Sequence, residues 1–229
     1  MSYCSATIGG IAGFGGGILV LPFITNLLGI KSAIPVLTIS QVMNNSTRVW
    51  VGFKEVDWKS AWIFLITGLP ASVLGSVLFA ELPKDYIAKG IAVLICIILL
   101  LRRLTKKGYR MNPLWLLVGG GLSGFFSGVS GVGGPISAVF FLGLGLPPGS
   151  YVATEAVTAT LIHFTKMVVY QQFELIKWET AGNGLFLGVG MMIGAWTGKK
   201  ILDRLPRKVF LIIVETLLFI SAVQLWFSE

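Results

Sequence analysis

Two glycine clusters are the parts of the chain best suited to bind a ligand through the backbone. Residues 13–17 read GFGGG and residues 131–134 read GVGG; we call them the first and second glycine tips. Backbone N–H groups that glycine leaves uncovered at the start of a helix bind anions. Pro135 fits such a start, where its missing N–H is harmless. We therefore predict anion contacts from Gly13, Gly15, Gly16, Gly17, Gly131, Gly133 and Gly134.

The alternative interpretation is that these glycines only let helices approach closely, as small residues commonly do in membranes. The motif occurs twice, each time between two short apolar segments. This repetition favours the anion-binding interpretation.

Each tip is followed by an apolar segment with polar side chains that a lipid-facing helix would avoid. Four of them follow the spacing i, i+3, i+4, i+7 of one helix face: Gln41, Asn44, Asn45 and Arg48. Thr47-Arg48 aligns with Thr165-Lys166 in the second half, so a hydroxyl and a cation recur. Two inward cations favour a compact anion with several oxygens. We predict substrate contacts from this face and from Thr165 and Lys166, the alternative being that both cations extend to the membrane interface.

Glu155 and His163 are the candidates for proton coupling. Glu155 has no acidic counterpart in the first half, where Leu37 takes its place. It either carries a coupling proton or neutralises Lys166 three turns away. His163 is the single histidine, and it is either a proton relay or a hydrogen-bonded core side chain. For each residue the sequence leaves both roles open.

The elements that position these residues occur in duplicate. The segment GGIAGFGGGILVLPFI from Gly9 aligns without gaps with SGVSGVGGPISAVFFL from Ser127, an offset of 118 residues. With small length changes the match continues, pairing Trp58 with Trp178 and Gly75 with Gly198. Self-similarity at a fixed offset indicates a repeated architecture. We predict a first repeat at 1–104, a basic cytoplasmic connector at 105–113 and a second repeat at 114–229.

The composition indicates a membrane protein. Of 229 residues, 55% are hydrophobic and 12% charged, against roughly 25% charged in soluble domains. Long uncharged runs bounded by basic clusters are typical of membrane spans. Each repeat is predicted to hold one glycine-broken hairpin and three spans. The hairpins are expected at about 2–29 and 114–146, and the spans at about 33–52, 60–80, 86–101, 151–171, 178–198 and 208–227.

Basic clusters set the expected topology. The clusters at 102–110 and 199–208 should both lie in the cytoplasm, which requires an even number of crossings between them. The two spans 151–171 and 178–198 satisfy this if 114–146 enters and leaves on one side. Each repeat then crosses three times, so the repeats are inverted and both chain ends lie outside. The expected fold is an all-α polytopic membrane protein with two inverted repeats.

Several other classes of function are not expected. The net charge is +8, but no basic stripe with interleaved aromatic residues suggests nucleic-acid binding. Cys4 and Cys96 lie in apolar stretches, which gives no support for a disulfide or a metal site. Paired carboxylates, a nucleophile beside a base and metal-spaced clusters are not found, so we expect neither an enzyme nor a cofactor.

The doubled GxxGxGGG-like segment, each copy followed by a helix with scattered polar residues and a later Gly...Leu-Pro, resembles the sulfite exporter TauE/SafE family, also called toluene sulfonate uptake permeases. The resemblance covers essentially the whole chain. It implies a multi-pass inner-membrane (plasma-membrane) protein that moves sulfur-containing anions, by proton-coupled secondary transport. The family's glycine motifs fall on the two glycine tips. The chain departs from the pattern at Pro135, which stands where the first copy has Gly17.

These observations together predict a secondary transporter of a small sulfur-containing anion, namely sulfite, thiosulfate or an organosulfonate. The predicted site lies at the membrane midplane between the two glycine tips. An uncoupled anion channel and a transporter of a small carboxylate are the alternatives. The expected partners are a small anion, protons and the lipid bilayer, without nucleic acid, and the sequence leaves a homodimer open.

Overall fold

The computed structural model describes residues 1–14, 16–81, 111–131 and 133–227. In these ranges the regular structure is helical and no strand occurs, so the predicted all-α class is confirmed. The predicted span at 86–101, residues 105–110 of the predicted connector, and Gly15 lie outside the described residues.

Four α-helices of the first half and five of the second are described, in the same order in both halves. The first half has α1 Ser2–Ala12, α2 Gly16–Leu28, α3 Ile30–Gly52 and α4 Trp58–Glu81, with a 3-10 turn at Phe53–Glu55. The second half has α5 Trp115–Ser130, α6 Gly134–Gly143, α7 Pro148–Gln172, α8 Trp178–Leu202 and α9 Arg207–Phe227. In each half two short helices pack against each other across a glycine tip, and a long helix follows.

The two glycine tips begin with the same turn. Gly13 caps the C-terminal end of α1 with φ +85°, and Gly131 caps that of α5 with φ +77°. The N–H of Gly13 donates to the Gly9 carbonyl at 2.9 Å, and that of Gly131 donates to the Ser127 carbonyl at the same distance. A left-handed residue that closes a helix end is usually glycine, because a Cβ is strained in this region. The conformation explains why both tips need glycine at this position.

Helix packing is reciprocal between the halves. Helix α1 packs along α8, and its counterpart α5 packs along α4; α3 and α7 pack on each other. Glycine residues lie at the crossing points of these helices. A Cβ on Gly75 would lie 3.1 Å from the Cα of Gly128, and a Cβ on Gly198 would lie 2.9 Å from the Cα of Gly10. Helices that meet at small residues bring their backbones into contact, as is common in membranes.

The main apolar cluster lies beside the tips. Phe64 of α4 and Phe141 of α6 are both buried, with ring centroids 4.9 Å apart, and Ile162 of α7 belongs to the same cluster. This cluster supports one wall of the cavity described below, because Phe64 and Ile162 also line that cavity.

The outer surface is apolar. Among the described helices, Trp58–Ala80, Pro148–Gln172 and Trp178–Leu202 are long and apolar enough to cross a membrane by length and composition. Large apolar side chains such as Ile66 and Phe186 point outward, with exposed fractions of 66% and 83%. Soluble monomers rarely expose such surfaces. The fold is therefore that of a helical membrane protein.

Candidate functional site

A cavity of about 50 Å³ lies where the two glycine tips meet α3 and α7. A buried water needs about 10–15 Å³ of such space, so the cavity has room for roughly four water-sized atoms. Its walls are formed by glycine, polar side chains and a few apolar ones: Gly9, Phe14, Gly16, Gly17, Ile18, Gln41, Asn44, Asn45, Arg48, Phe64, Ser123, Ser127, Gly131, Gly133, Gly134, Ser137, Glu155, Thr158, Ala159, Ile162 and His163.

The polar face of α3 forms one wall. Asn44 donates from Nδ2 to Oε1 of Gln41 at 3.0 Å, and Arg48 donates from one terminal nitrogen to Oδ1 of Asn45 at 2.6 Å. All four side chains line the cavity, as the spacing i, i+3, i+4, i+7 predicts for residues of one helix face. The face is therefore a hydrogen-bonded unit turned to the interior of the protein.

Arg48 joins several elements around the cavity. Its other terminal nitrogen donates to the carbonyl oxygens of Gly13 at 2.6 Å and Val152 at 3.1 Å, and to Oε2 of Glu155 at 2.9 Å. Ser137 donates to the second oxygen of Glu155 at 3.2 Å. The guanidinium and carboxylate are both almost fully buried. This ion pair links the first glycine tip and α3 to α6 and α7.

The ion pair corrects one alternative drawn from the sequence. Glu155 does not neutralise Lys166, because the two residues are eleven positions apart on α7 and thus about 16 Å apart along the helix axis; its partner is Arg48, on a neighbouring helix. The interpretation that the two cations extend to the interface is also wrong. Arg48 is 4% exposed and Lys166 is 0% exposed.

Lys166 has a different environment from Arg48. Its Nζ donates to Oγ of Ser127 at 3.3 Å and lies 5.9 Å from the centre of the Tyr170 ring. It lines a second, smaller cavity of about 10 Å³ that adjoins the first. The hydroxyl of Thr165 donates to the Leu161 carbonyl of its own helix at 2.9 Å. Of the aligned Thr-Lys pair, Lys166 thus faces the protein interior, whereas the hydroxyl bonds to its own helix.

Most of the glycines of the two tips reach the site. Gly16, Gly17, Gly131, Gly133 and Gly134 line the larger cavity. Gly13 contacts it through its carbonyl, which accepts from Arg48. A Cβ on Gly17 would lie 2.1 Å from Nε2 of Gln41, so the absence of a side chain lets this amide approach the backbone. Gly15 lies outside the described residues.

Three polar atoms on the walls are buried and have no hydrogen-bond partner within the part of the chain that the structure describes: Asn44 Oδ1, Arg48 Nε and His163 Nδ1. All three belong to side chains that line the larger cavity. Buried polar atoms are paired in native proteins, with protein, water or a bound ligand. The cavity therefore offers both donors and acceptors to whatever occupies it.

Four polar wall residues are not among the site residues predicted from the sequence: Ser123, Ser127, Ser137 and Thr158. Ser123 donates to the Gly133 carbonyl at 2.9 Å and so holds the second glycine tip. Ser127 accepts from Lys166. A signal was available, because Ser123 and Ser127 are four residues apart and share one face of a largely apolar helix.

Buried polar groups around a cavity between helices with an apolar exterior are typical of a helical membrane protein. The chain matches the family described as Sulfite exporter TauE/SafE over residues 2–225. It belongs to this family of membrane transporters, as its sequence resemblance predicts. This membership is consistent with the expectation that the protein is not an enzyme.

A curated relative points to the same class. The chain is 23% identical over 262 aligned positions to the probable membrane transporter protein YunE of Bacillus subtilis (strain 168), covering 96% of this chain and 93% of the relative. No solved structure matches the chain.

Proposed function

We propose that the protein is a multi-pass inner-membrane secondary transporter that carries a small sulfur-containing anion: sulfite, thiosulfate or an organosulfonate. The observation that carries the proposal is the internal cavity between the two glycine tips, lined by buried donors and adjoined by a second cavity at Lys166. Membership of a family named for sulfite export supports the substrate class.

Helix geometry supports anion binding. Helices α2 and α6 begin at Gly16 and Gly134, and both residues line the larger cavity. The helix dipole adds a partial positive charge at both starts. At α6, Pro135 has no N–H and the N–H groups of Ile136 and Ser137 donate to the Gly133 carbonyl, which leaves the N–H of Gly134 in that first turn. Two such starts at one cavity attract a compact anion. The side-chain amide of Gln41 supplies a further donor on the same walls.

Cavity size favours a small substrate. Room for about four water-sized atoms matches sulfite, which has four heavy atoms, and a larger organosulfonate requires the cavity to open. A small carboxylate is the alternative substrate. It has two oxygens at its charged end, whereas a sulfur oxyanion has three, and the donors lie on walls from both halves of the chain.

Topology supports alternating access. The reciprocal packing of α1 on α8 and of α5 on α4 supports an arrangement of two inverted repeats around a central site. In this arrangement each repeat crosses the membrane three times and both chain ends lie outside. Rocking of one repeat against the other would open the cavity to each side in turn.

Transport is coupled to protons in the proposed cycle. Glu155 and His163 are titratable groups on the cavity wall, and either one is suited to exchange a proton during the cycle. Glu155 is bound to Arg48, so a proton on Glu155 would weaken a contact between the halves. The Nδ1 atom of His163 is buried and has no hydrogen-bond partner within the described part of the chain.

Flux into proteoliposomes tests the proposal. Purified protein should take up radiolabelled sulfite with a rate that saturates with concentration and rises with an imposed proton gradient. Thiosulfate and methanesulfonate should compete, and acetate should compete poorly. Electrogenic flux that grows without saturation would indicate an anion channel, and preferential competition by acetate would indicate a carboxylate transporter. Protein-free liposomes supply the background.

A further inference from the structure

The two buried cations occupy equivalent positions in the two repeats. Arg48 and Lys166 are separated by the repeat offset of 118 residues. Every residue that accepts a hydrogen bond from Arg48 has a counterpart at the same offset, and all the counterparts line the small cavity beside Lys166. The pairs are Asn45 with His163, Gly13 with Gly131, Val152 with Ile34, and Glu155 with Leu37.

The surroundings of the two cations differ most at one pair of equivalent residues, Glu155 and Leu37. Beside Arg48 stands the carboxylate of Glu155, 2.9 Å from the guanidinium. Beside Lys166 the equivalent residue is Leu37, which is apolar and 7% exposed. The arginine is therefore neutralised within the protein by a residue of the other repeat. The lysine has no carboxylate partner among the residues the structure describes.

Lys166 is short of partners for a fully buried ammonium group. The ammonium has three N–H donors, and one hydrogen bond, the 3.3 Å contact with Ser127, is present within the described residues. Burying a charged group without a counter-charge is costly. A negative charge that enters this environment is stabilised by the same lysine.

Space for such a charge exists next to Lys166. The small cavity has a volume of about 10 Å³, enough for roughly one water-sized atom. It adjoins the larger cavity, since both are lined by Gly17, Gln41, Gly131 and His163. An anion in the larger cavity can therefore place one of its oxygens in the smaller one.

We infer that the pocket formed by Lys166, Leu37 and His163 is the charge-binding subsite of the transporter, and that one negatively charged oxygen of the substrate is the counter-ion of Lys166 there. The substrate oxygen plays for Lys166 the part that Glu155 plays for Arg48. This inference rests on the proposed function and assigns the substrate-binding charge to Lys166. Arg48 becomes a positioning residue that holds the first glycine tip and α7 together.

Placing a carboxylate at position 37 tests the inference directly. Leu37→Glu supplies Lys166 with the internal counter-ion that Arg48 already has, whereas Leu37→Gln has nearly the same shape without the charge. Sulfite binding to purified protein, measured by titration calorimetry, should be at least about ten-fold weaker for Leu37→Glu than for Leu37→Gln. Equal affinity of these two variants would overturn the inference.

A second variant covers the case in which Leu37→Glu does not fold. Lys166→Met removes the charge and keeps an unbranched side chain, and it should weaken sulfite binding by at least about ten-fold. Lys166→Arg should recover part of the lost affinity. The matched control is Lys31→Met, the same substitution at an exposed lysine at the start of α3. Wild-type affinity in Lys166→Met would overturn the inference.

The possible outcomes distinguish a failure of the proposed function from a failure of the subsite assignment. If wild-type protein neither binds nor transports sulfite, thiosulfate or methanesulfonate, the proposed function itself is wrong. If wild-type protein binds sulfite and the variants at positions 37 and 166 bind it equally well, the function stands and the assignment of the subsite to Lys166 fails.

Discussion

The two halves of the molecule share a backbone arrangement and differ in their charges. Both glycine tips begin with a left-handed glycine, and both have a helix crossing in which one glycine meets another. The equivalent cations, in contrast, have different partners: Arg48 is paired with Glu155, and Lys166 with a serine hydroxyl. The duplicated scaffold thus carries two chemically distinct sites.

The difference has a physical reason. At a close helix crossing, a side chain on either helix would push the two backbones apart, so both crossings need glycine. A buried cation needs a negative charge nearby, but a protein carboxylate and a bound anion both meet that need. Arg48 can therefore be neutralised within the protein by a carboxylate of the other repeat, while Lys166 can take its counter-ion from solution.

The largest expected effect comes from removing each cation in turn and measuring the free energy of unfolding in mixed micelles. Arg48→Met leaves the Glu155 carboxylate buried without its partner and should cost about 3–5 kcal/mol. Lys166→Met leaves no such carboxylate behind and should be within about 1 kcal/mol of wild type or more stable. The double variant Arg48→Met/Glu155→Leu should recover most of the loss. Equal destabilisation by both single variants would contradict the contrast between the halves.

The helix crossings should respond alike in the two halves. A Cβ on Gly75 would lie 2.1 Å from the Phe125 carbonyl oxygen, and one on Gly198 would lie 2.6 Å from that of Thr7. Gly75→Ala and Gly198→Ala should each lower the free energy of unfolding by about 1–3 kcal/mol through overpacking. The matched control is Gly182→Ala, at a helical position with no atom within 4 Å. Equal stability of all three variants would show that close packing does not require glycine at the two crossings.

Alanine substitutions at the two glycine tips should differ modestly in their effect on stability. Gly13→Ala and Gly131→Ala both place a Cβ at positive φ, at a cost of about 1–2 kcal/mol. At Gly13 the Cβ would also lie 2.5 Å from the Tyr151 ring, whereas at Gly131 the nearest atom would be 3.6 Å away, on Ile34. Thermal unfolding should therefore rank Gly13→Ala below Gly131→Ala in stability. The reverse ranking would argue against the close contact of the first tip with α7.

The smallest effect is expected from the aligned hydroxyls. Thr47 donates to the Met43 carbonyl at 3.0 Å, and Thr165 donates to that of Leu161 at 2.9 Å. Because each hydroxyl bonds to its own helix, Thr47→Val and Thr165→Val should change the affinity for sulfite by less than about three-fold. A loss of about ten-fold or more in calorimetric titrations would bring these hydroxyls back into the binding site.

The sequence contains enough information for the helical membrane class and for the polar face of α3. Both follow from local periodicity and composition, which need no knowledge of the neighbouring helices. The partner of Glu155 could not be predicted in this way. Arg48 and Glu155 are 107 positions apart and meet only when α3 packs on α7. Likewise, the repeat alignment predicts inward contacts from both Thr165 and Lys166, and it does not indicate that the Thr165 hydroxyl bonds to its own helix.

The proposed site holds an anion between the two glycine tips with its charge toward Lys166. Selenite, the selenium analogue of sulfite, makes this directly visible in an anomalous difference map from crystals of the protein. We expect one strong peak between Gly16 and Gly134, with the selenium about 4 Å from Nζ of Lys166 because a selenite oxygen lies between them and accepts the hydrogen bond, and we expect the peak to disappear in Lys166→Met. A selenium peak only on the outer surface, or one between the tips that persists unchanged in Lys166→Met, would contradict it.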